Sequence, residues 1–282
     1  MASLSYSSAS MFKDCPKKYQ YQYIIKGKPS IRLNTRPFLE GDVIHRILEY
    51  GFLLKKPLDR DQLLVVFPKF WAISLAHQQK QGVVQLNKNE TLEGIRAKTL
   101  LMLGVAIDYI KLNKWDEGAF WSEYPIGAWN APYDLGEGLR VHGKADYVRD
   151  MGEGLFLADF KTSKDEKYLK AAQILLYIIV VEKKLGKPVT SASFIMLRNS
   201  EQIPVRITEE DKKRVLDELI VISKSIDAGK FVATPGEKVC GDCIFRKDCP
   251  ESMAKVSEAE TIIAEMVKKP QSFSLGELPT LE

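Results

Sequence analysis

The sequence feature that most constrains this chain is a pair of β-rich runs joined by a short turn. The first run extends from Leu139 to Arg149, the turn occupies residues 150–154, and the second run ends at Lys161. Two such runs with glycine in the turn between them are typical of a β-hairpin. The sequence therefore predicts two neighbouring antiparallel strands in the middle of the chain.

Three charged residues in this hairpin suggest a chemical role. Asp146 lies in the first run, whereas Asp159 and Lys161 lie two positions apart in the second and so share one face of a strand. Carboxylates held close together repel one another unless a cation lies between them. The hairpin thus predicts a divalent metal between the aspartates, with the lysine ammonium near a reacting anion. The alternative is a surface strand pair with ordinary solvated charges.

The composition is that of a globular protein. Of the 282 residues, 45% are hydrophobic and 28% are charged, as is usual for soluble domains. No apolar run reaches the ~20 residues needed to cross a bilayer, and the first residues lack the basic and apolar regions of a signal peptide. We therefore expect a cytoplasmic protein without a membrane partner. The net charge of +4 permits a nucleic-acid partner without requiring one.

Four cysteines form a pattern that suits metal ligation. Cys240 and Cys243 have two residues between them, Cys249 follows closely, and Cys15 lies near the other end of the chain. In a reducing compartment this spacing favours a metal site over disulfides. Four thiolates suit either Zn²⁺ or an iron–sulfur cluster, and the sequence by itself leaves both open. A site built from all four would join the two ends of the chain.

The N-terminal segment combines a helix cap with an aromatic cluster. Ser7 or Ser8 is a candidate cap for a short helix that ends before Pro16. Three tyrosines follow at alternate positions beside a pair of lysines, within residues 17–23. Tyrosines next to lysines can stack on bases and hold phosphates. We favour the other interpretation, a half-buried aromatic cluster that packs this segment, because tyrosines usually pack.

Helices are predicted over the next part of the chain. Apolar residues recur at helical spacing over residues 38–56, where His45 and Glu49 lie one turn apart. A helical histidine is usually structural unless a metal site lies opposite. Residues 57–115 have a helical pattern throughout, with an interruption at Pro68. We expect this region to be a helical insertion packed beside the hairpin.

The second half of the chain alternates strands and helices, which predicts a mixed α/β core. A strand over residues 119–130 contains Pro125 and is therefore expected at the edge of a sheet. Its Glu123 is more consistent with a solvent-facing carboxylate than with a site residue. The remaining predicted elements are a helix over 165–185, strands over 189–198 and 203–207, and a helix over 208–227 capped by Thr208.

These motifs occur together in the order of a known family. They are the segment 4–19 with its serines and first cysteine, 41–49 with His45, 143–146, 159–162, 173–177, and the three later cysteines followed by Pro250. Each motif alone is common, whereas six in this order are specific. The chain resembles the PD-(D/E)XK nucleases of the RecB type. More narrowly it resembles their iron–sulfur branch: the CRISPR-adaptation exonucleases, the AddB C-terminal nuclease, and stand-alone phage or archaeal relatives. The proline that names the superfamily is absent before Asp146, as is usual in the RecB branch.

The resemblance implies an α/β fold of the restriction-endonuclease type, in which helices flank a mixed β-sheet core. It implies a Mg²⁺ or Mn²⁺ ion held by side chains of His45, Asp146 and Asp159, with the backbone carbonyl of Phe160 also available. Lys161 would position the attacking water and stabilise negative charge on the phosphorus centre. A histidine ligand favours Mn²⁺ somewhat more than an all-oxygen site would. Because His45 must be neutral to ligate, we expect activity to fall below about pH 6.

The same resemblance assigns roles to the other candidates. Gln173 and Tyr177 would line the catalytic site and contact the DNA strand. A structural [4Fe–4S] cluster, with Zn²⁺ as the alternative, would be held by Cys15, Cys240, Cys243 and Cys249.

The chain is accordingly expected to divide into six parts. These are an N-terminal segment with the first cluster cysteine (1–37), a core helix with His45 (38–56), a helical insertion (57–118), the nuclease core (119–230), a cluster region that ends in a helix from about residue 251 (231–269), and a tail that is flexible or serves as a docking peptide (270–282).

The expected activity is metal-dependent hydrolysis of phosphodiester bonds in DNA. We expect an exonuclease that acts on single-stranded DNA or DNA ends, in recombination, repair or CRISPR adaptation. The alternatives are a structure-specific endonuclease and a DNA-end-binding scaffold with a vestigial site. Since no helicase motif is present, duplex unwinding would come from a helicase or from a recombination or CRISPR-adaptation partner. The protein would be bacterial, archaeal or phage-encoded.

Overall fold

Strands and helices alternate through the second half of the protein in a computed structural model that describes residues 2–27, 33–163 and 165–253. The strands are β1 (Ser3–Leu4), β2 (Phe120–Gly127), β3 (Tyr133–Gly136), β4 (Leu139–Val141), β5 (Gly143–Asp150), β6 (Leu155–Lys161), β7 (Val189–Met196) and β8 (Glu201–Pro204). The α-helices are α1 (Tyr6–Asp14), α2 (Pro16–Tyr19), α3 (Arg36–Leu53), α4 (Arg60–Gln81), α5 (Leu92–Leu112), α6 (Ala171–Leu185), α7 (Glu209–Asp227) and α8 (Glu237–Gly241). A π-helical segment occupies Gln20–Ile25, and a 3₁₀ turn occupies Glu166–Tyr168.

The central sheet has five strands in the order β2–β5–β6–β7–β8. Only the β6–β7 pair is parallel, and the helix α6 forms the crossover between these two strands. The predicted hairpin is the β5–β6 pair, in which Tyr147 is paired with Ala158 and Asp150 with Leu155. β2 lies at the edge of the sheet, with a register shift after Pro125, as the proline predicts. The expected mixed α/β core is confirmed.

The first run of the hairpin divides into two strands, so the prediction of one continuous strand over 139–149 is wrong. β4 belongs to a separate three-stranded sheet, where it lies between β1 and β3. The break falls at Gly143, whose φ of +149° is a conformation that favours glycine. A Cβ at this position would lie 3.6 Å from the Tyr177 ring, so glycine also lets that ring approach the backbone.

The helical region after α3 contains the helices α4 and α5, as the helical pattern over residues 57–115 predicts. Val83 between them hydrogen-bonds to the backbone of Leu33 and Thr35. The difference from the prediction is at Pro68. Pro68 lies inside α4 and does not interrupt it. The residues on either side, Phe67 and Trp71, are buried and stack at 6.1 Å, and this packing offsets the lost backbone hydrogen bond.

Two hydrophobic layers cover the central sheet, one on each face. Helices α6 and α7 and the N-terminal helix α1 pack on one face, where Val148 and Leu157 are fully buried. Helices α3, α4 and α5 pack on the other, where Tyr147 and Ala158 are fully buried. Strands covered on both faces are apolar throughout, as β6 is up to Asp159. This arrangement confirms the predicted mixed sheet flanked by helices.

The N-terminal segment packs against the C-terminal part of the described chain. The backbone N–H of Ala2 donates to Asp227 Oδ1 at 2.9 Å, and the Thr234 hydroxyl donates to the Asp14 carbonyl at 2.6 Å. Tyr19, Tyr21 and Tyr23 pack as the favoured interpretation predicts: Tyr19 is buried against aromatic neighbours, and Tyr21 stacks on Phe245 at 5.3 Å. The helix expected after residue 251 and the tail at 270–282 lie outside the described residues.

The described residues contain no helix that could cross a membrane. Over the described ranges, every helix falls short of the length and hydrophobicity that a bilayer span requires.

Candidate active site

Helix α3 places His45 against two carboxylates from the central sheet. His45 Nδ1 lies 3.7 Å from Asp146 Oδ1 on β5 and 3.9 Å from Glu123 Oε1 on β2. One ligand atom from each of these residues lies within 4.8 Å of the others. Their side chains are 29%, 16% and 19% exposed, so the group is accessible without being open to bulk water. Nitrogen and carboxylate oxygens converging in this way suit a divalent metal such as Mn²⁺ or Mg²⁺.

Glu123 is a site residue that the sequence analysis excluded, and its solvent-facing assignment is wrong. Ser122 pairs with Tyr147 and Tyr124 with Ala145, so Glu123 stands across the ladder from Asp146. Its φ of +49° is unusual for a residue other than glycine within a strand. The predicted hairpin strand and the predicted edge strand could have located Glu123 if their register had been worked out.

The backbone of Phe160 orients two members of this group. Its N–H donates to Asp146 Oδ2 at 2.8 Å, and its carbonyl oxygen accepts from His45 Nε2 at 3.1 Å. Because a carbonyl can only accept, Nε2 carries the proton, and Nδ1 is the ring atom that faces the carboxylates. The carbonyl oxygen keeps a second lone pair with which it can contact a metal. That contact stays a prediction.

Asp159 and Lys161 form an ion pair beside this group, on one face of β6 as predicted. Lys161 Nζ lies 2.6 Å from Asp159 Oδ2, and the side chains are 22% and 3% exposed respectively. Oδ2 is buried, and this ion pair is its contact among the described residues. Such a buried carboxylate oxygen is a candidate ligand for a second cation.

The clustered charges shift the pKa values of the group. Burial alone lowers the pKa of His45, but Asp146, Glu123 and Asp159 outweigh it and raise the pKa to about 9. Burial, together with the charges of Asp159 and Glu123, raises the pKa of Asp146 to about 7 against the opposing effect of His45. Burial raises the pKa of Glu123, but His45 and Lys144 outweigh it and hold the value below its ordinary range. At neutral pH and without a metal, His45 is therefore a cation.

We expect Mn²⁺ binding to release about one proton at pH 7.5, because His45 must lose its proton to coordinate. Because the pKa of His45 is about 9, metal binding should depend on pH well above the pH 6 expected from an ordinary histidine. Apparent affinity should rise by about tenfold per pH unit between pH 7 and 9, then level off. Titration calorimetry in buffers of different ionisation enthalpy measures the release, and His45→Gln should abolish it. A binding heat that does not depend on the buffer would contradict the prediction.

A comparison with protein families identifies the chain. The model described as the PD-(D/E)XK nuclease superfamily matches residues 3–250, which include His45, Glu123, Asp146, Asp159 and Lys161. The chain belongs to the PD-(D/E)XK nuclease superfamily. Membership implies metal-dependent nuclease activity, with DNA as the substrate. The resemblance seen in the sequence is thus confirmed at the level of the superfamily.

Other comparisons add little to this assignment. A search of curated proteins gives no match. A solved structure described as the crystal structure of SSO0001 is 12% identical, with a TM-score of 0.37, over 83% of this chain and 100% of that chain.

Superfamily membership implies a divalent metal, and the residues present fit one. His45 Nδ1, Asp146 Oδ1 and Glu123 Oε1 supply a mixed nitrogen and oxygen donor set. Asp159 Oδ2 adds a buried carboxylate oxygen, which is paired with the Lys161 ammonium. Three carboxylates close together repel one another, and a divalent cation would remove that repulsion.

Gln173 and Tyr177 lie on α6, on the opposite side of the sheet from α3. Gln173 Nε2 donates to the Tyr177 hydroxyl at 3.0 Å. Burial raises the pKa of Tyr177, and the charges of Asp146, Asp159 and Glu123 raise it further. Tyr177 thus lies within the electrostatic field of the carboxylates. Its contact with a DNA strand stays a prediction.

The four cysteines gather where the two ends of the chain meet. Cys15 and Cys240 are buried, and Cys243 and Cys249 are half-buried. Burial raises the pKa of Cys243, and charges on Cys15 and Cys240 contribute. Burial also raises the pKa of Cys249, with a contribution from Cys15. Cys243 is therefore within electrostatic reach of Cys15 and Cys240, and Cys249 is within reach of Cys15. None of the four forms a disulfide.

Proposed function

We propose that the chain is a DNA exonuclease of the iron–sulfur branch that acts on single-stranded DNA or DNA ends. The observation that supports the finer assignment is that Cys15 lies within electrostatic reach of two of the later cysteines, in a chain that also carries the candidate nuclease site. The CRISPR-adaptation exonucleases and the AddB nuclease, which the chain resembles, combine these two features. A role in recombination, repair or CRISPR adaptation, with a helicase or adaptation partner, belongs to the same proposal.

The metal would be held by His45, Asp146 and Asp159, with Glu123 as an additional ligand. When bound, it would supply Lewis-acid polarisation of the phosphate and a water of lowered pKa. The protein orients two of these ligands: the Phe160 backbone holds both His45 and Asp146 through its carbonyl and N–H. Such second contacts keep ligand atoms in place as charge develops.

Lys161 supplies the mobile positive charge of the site. Its ammonium group rests on Asp159 at 2.6 Å and is 22% exposed, so it can reach both the carboxylate and an incoming phosphate. We propose that it holds the attacking water in line with the scissile bond and stabilises negative charge that builds on the phosphate oxygens. Tyr177 and Gln173 would hold the strand on the α6 side of the site.

The cysteines would hold a [4Fe–4S] cluster, with Zn²⁺ as the alternative. Soft thiolates suit both. The cluster would act as a structural link, since Cys15 lies at the start of α2 and the others lie more than 200 residues later.

Digestion of end-labelled DNA tests the activity. We expect Mn²⁺ or Mg²⁺ to support degradation of linear single-stranded DNA from an end, with label released first as short products, and a chelator to stop it. Linear duplex with blunt ends should be cut more slowly, because the chain has no unwinding motif.

Circular single-stranded DNA of the same sequence separates the alternatives. A strict exonuclease leaves the circle intact, whereas a structure-specific endonuclease linearises it. Failure to cut any of these substrates with either metal, despite binding DNA ends, would favour the scaffold with a vestigial site and would contradict the proposal.

A further inference from the structure

A polar cavity lies between the N-terminal helices and the start of α6, next to the nuclease site. Its volume is about 320 Å³, which is enough for a nucleotide-sized group. The residues that give it its chemical character are Ser7, Ser10, Asp14, Lys18, Lys170 and Gln173. They come from α1, α2 and the beginning of α6, so the fold rather than one local motif creates the cavity.

The charges in this cavity favour an anion. Lys18 is half-buried and Lys170 is exposed, and neither makes an ion pair with a residue in the described ranges. By contrast, Lys13 on α1 is paired with Glu218. Asp14 is exposed and is the one acidic side chain among the described residues that line the cavity. Two ammonium groups without carboxylate partners around a concave surface are suited to a phosphate.

The hydroxyl groups of Ser7 and Ser10 add hydrogen-bond donors. The neighbouring Ser5 and Ser8 instead form the capping box of α1 with each other, so their side chains are used by the helix itself. Ser7 and Ser10 lie on the face of α1 that lines the cavity. Within the described residues, neither hydroxyl makes a side-chain hydrogen bond, so both can donate to a ligand.

Gln173 connects the cavity to the nuclease site. It lines the cavity and also donates to the Tyr177 hydroxyl at 3.0 Å. Tyr177 in turn lies beside Gly143, and the carboxylates Asp146, Asp159 and Glu123 act on its pKa. Gln173 therefore touches both the cavity and a tyrosine that the carboxylates of the nuclease site influence.

We infer that this cavity binds a phosphate group of the DNA strand adjacent to the bond that is cut. Lys18 and Lys170 neutralise the phosphate, while Ser7 and Ser10 donate hydrogen bonds to its oxygens. The inference rests on the proposed function in taking DNA as the ligand, and it adds the part of the protein that holds the neighbouring nucleotide. The phosphate is either the terminal monoester of a strand or an internal diester.

Binding of a short fluorescein-labelled single-stranded oligonucleotide, followed by anisotropy with EDTA present, tests the inference without cleavage. Lys18→Ala and Lys170→Ala should each weaken binding by about fivefold and lower the slope of log K against log salt by about 0.7. Ser7→Ala combined with Ser10→Ala should weaken binding without changing that slope, because no charge is lost. Lys183→Ala is the matched control, since Lys183 is an exposed lysine at the far end of α6; it should change neither quantity.

Oligonucleotides with a 5′-phosphate, a 3′-phosphate or neither separate the two sources of the phosphate. If the cavity takes a terminal monoester, removing it from the DNA should weaken binding to the wild type and have no effect on Lys18→Ala. If the cavity takes an internal diester, the end group should not matter, and circular single-stranded DNA should show the same loss in the variants. Either pattern supports a phosphate site.

Unchanged affinity and slope in both lysine variants, as in Lys183→Ala, would overturn the inference. That result would leave the proposed function standing, because cleavage by the wild type is measured separately. Conversely, a wild type that binds the oligonucleotide through these lysines but cuts no DNA would contradict the proposed function and retain the phosphate site.

Discussion

Replacement of Asp159 by asparagine is expected to reduce the rate of DNA cleavage by about 10³-fold or more, with the fold intact. The side chain is 3% exposed, and its negative charge would help to hold the metal. The amide has the same shape but carries no charge, so it holds a divalent cation much more weakly. Lys161→Ala should lose about 10²- to 10³-fold, since it removes one charge that stabilises the transition state.

An ion pair elsewhere provides the matched control. Lys213 and Asp217 form a comparable pair on α7, where the side chains are 74% and 54% exposed. Asp217→Asn and Lys213→Ala should leave the cleavage rate unchanged. The measurement is single-turnover degradation of end-labelled single-stranded DNA with saturating Mn²⁺, accompanied by circular dichroism and thermal unfolding. Wild-type rates in Asp159→Asn or Lys161→Ala would remove the basis for the metal site.

If the proposed cluster is present, loss of one cysteine is expected to remove all of it and to lower the melting temperature. Cys15 and Cys240 lie 225 positions apart, and a cross-link that closes a loop of that length stabilises the folded state by about 5 kcal/mol. For a chain of 282 residues this corresponds to a decrease of about 8 °C in Tm. Cys15→Ser and Cys240→Ser should therefore both lose the bound iron and the absorbance at about 400 nm. The two variants should be destabilised by a similar amount.

The double variant distinguishes a shared cluster from separate packing losses. If both thiols hold one cluster, Cys15→Ser combined with Cys240→Ser should be no less stable than either single variant. If each buried thiol contributes only its own packing, the losses should add. Additive losses, or variants that keep the iron content of the wild type, would contradict a common cluster. Zinc in place of iron in the purified wild type would identify the alternative metal.

Local patterns in the sequence predicted the hairpin and most of the charged residues that it brings to the site. Asp159 and Lys161 share a face because alternation along a strand is a local property, and their ion pair follows from it. His45 was located by helical spacing and by the resemblance, and the fold then brings α3 to the hairpin.

Residues whose role depends on distant pairing were the ones that the sequence did not reveal. Glu123 enters the site through the register of β2 on β5 and through a positive φ, neither of which an ordinary glutamate signals. The break at Gly143 depends on β1, more than 130 residues earlier, pairing with β4. Pro68 is tolerated inside α4 because aromatic packing holds that helix. In each case tertiary contacts override a local preference.

The meeting of the two ends of the chain determines when this protein can mature during translation. The N-terminal segment makes its contacts with distant parts of the chain through β1, α1 and Tyr21. The partners are β4, Asp227, Thr234 and Asp248. A ribosome takes roughly 10 to 45 s to synthesise the intervening residues at usual rates. β4 is synthesised partway through that interval, whereas Asp227, Thr234, Asp248 and the three later cysteines come near its end. Insertion of any cluster must therefore follow release of the C-terminal cysteines from the exit tunnel.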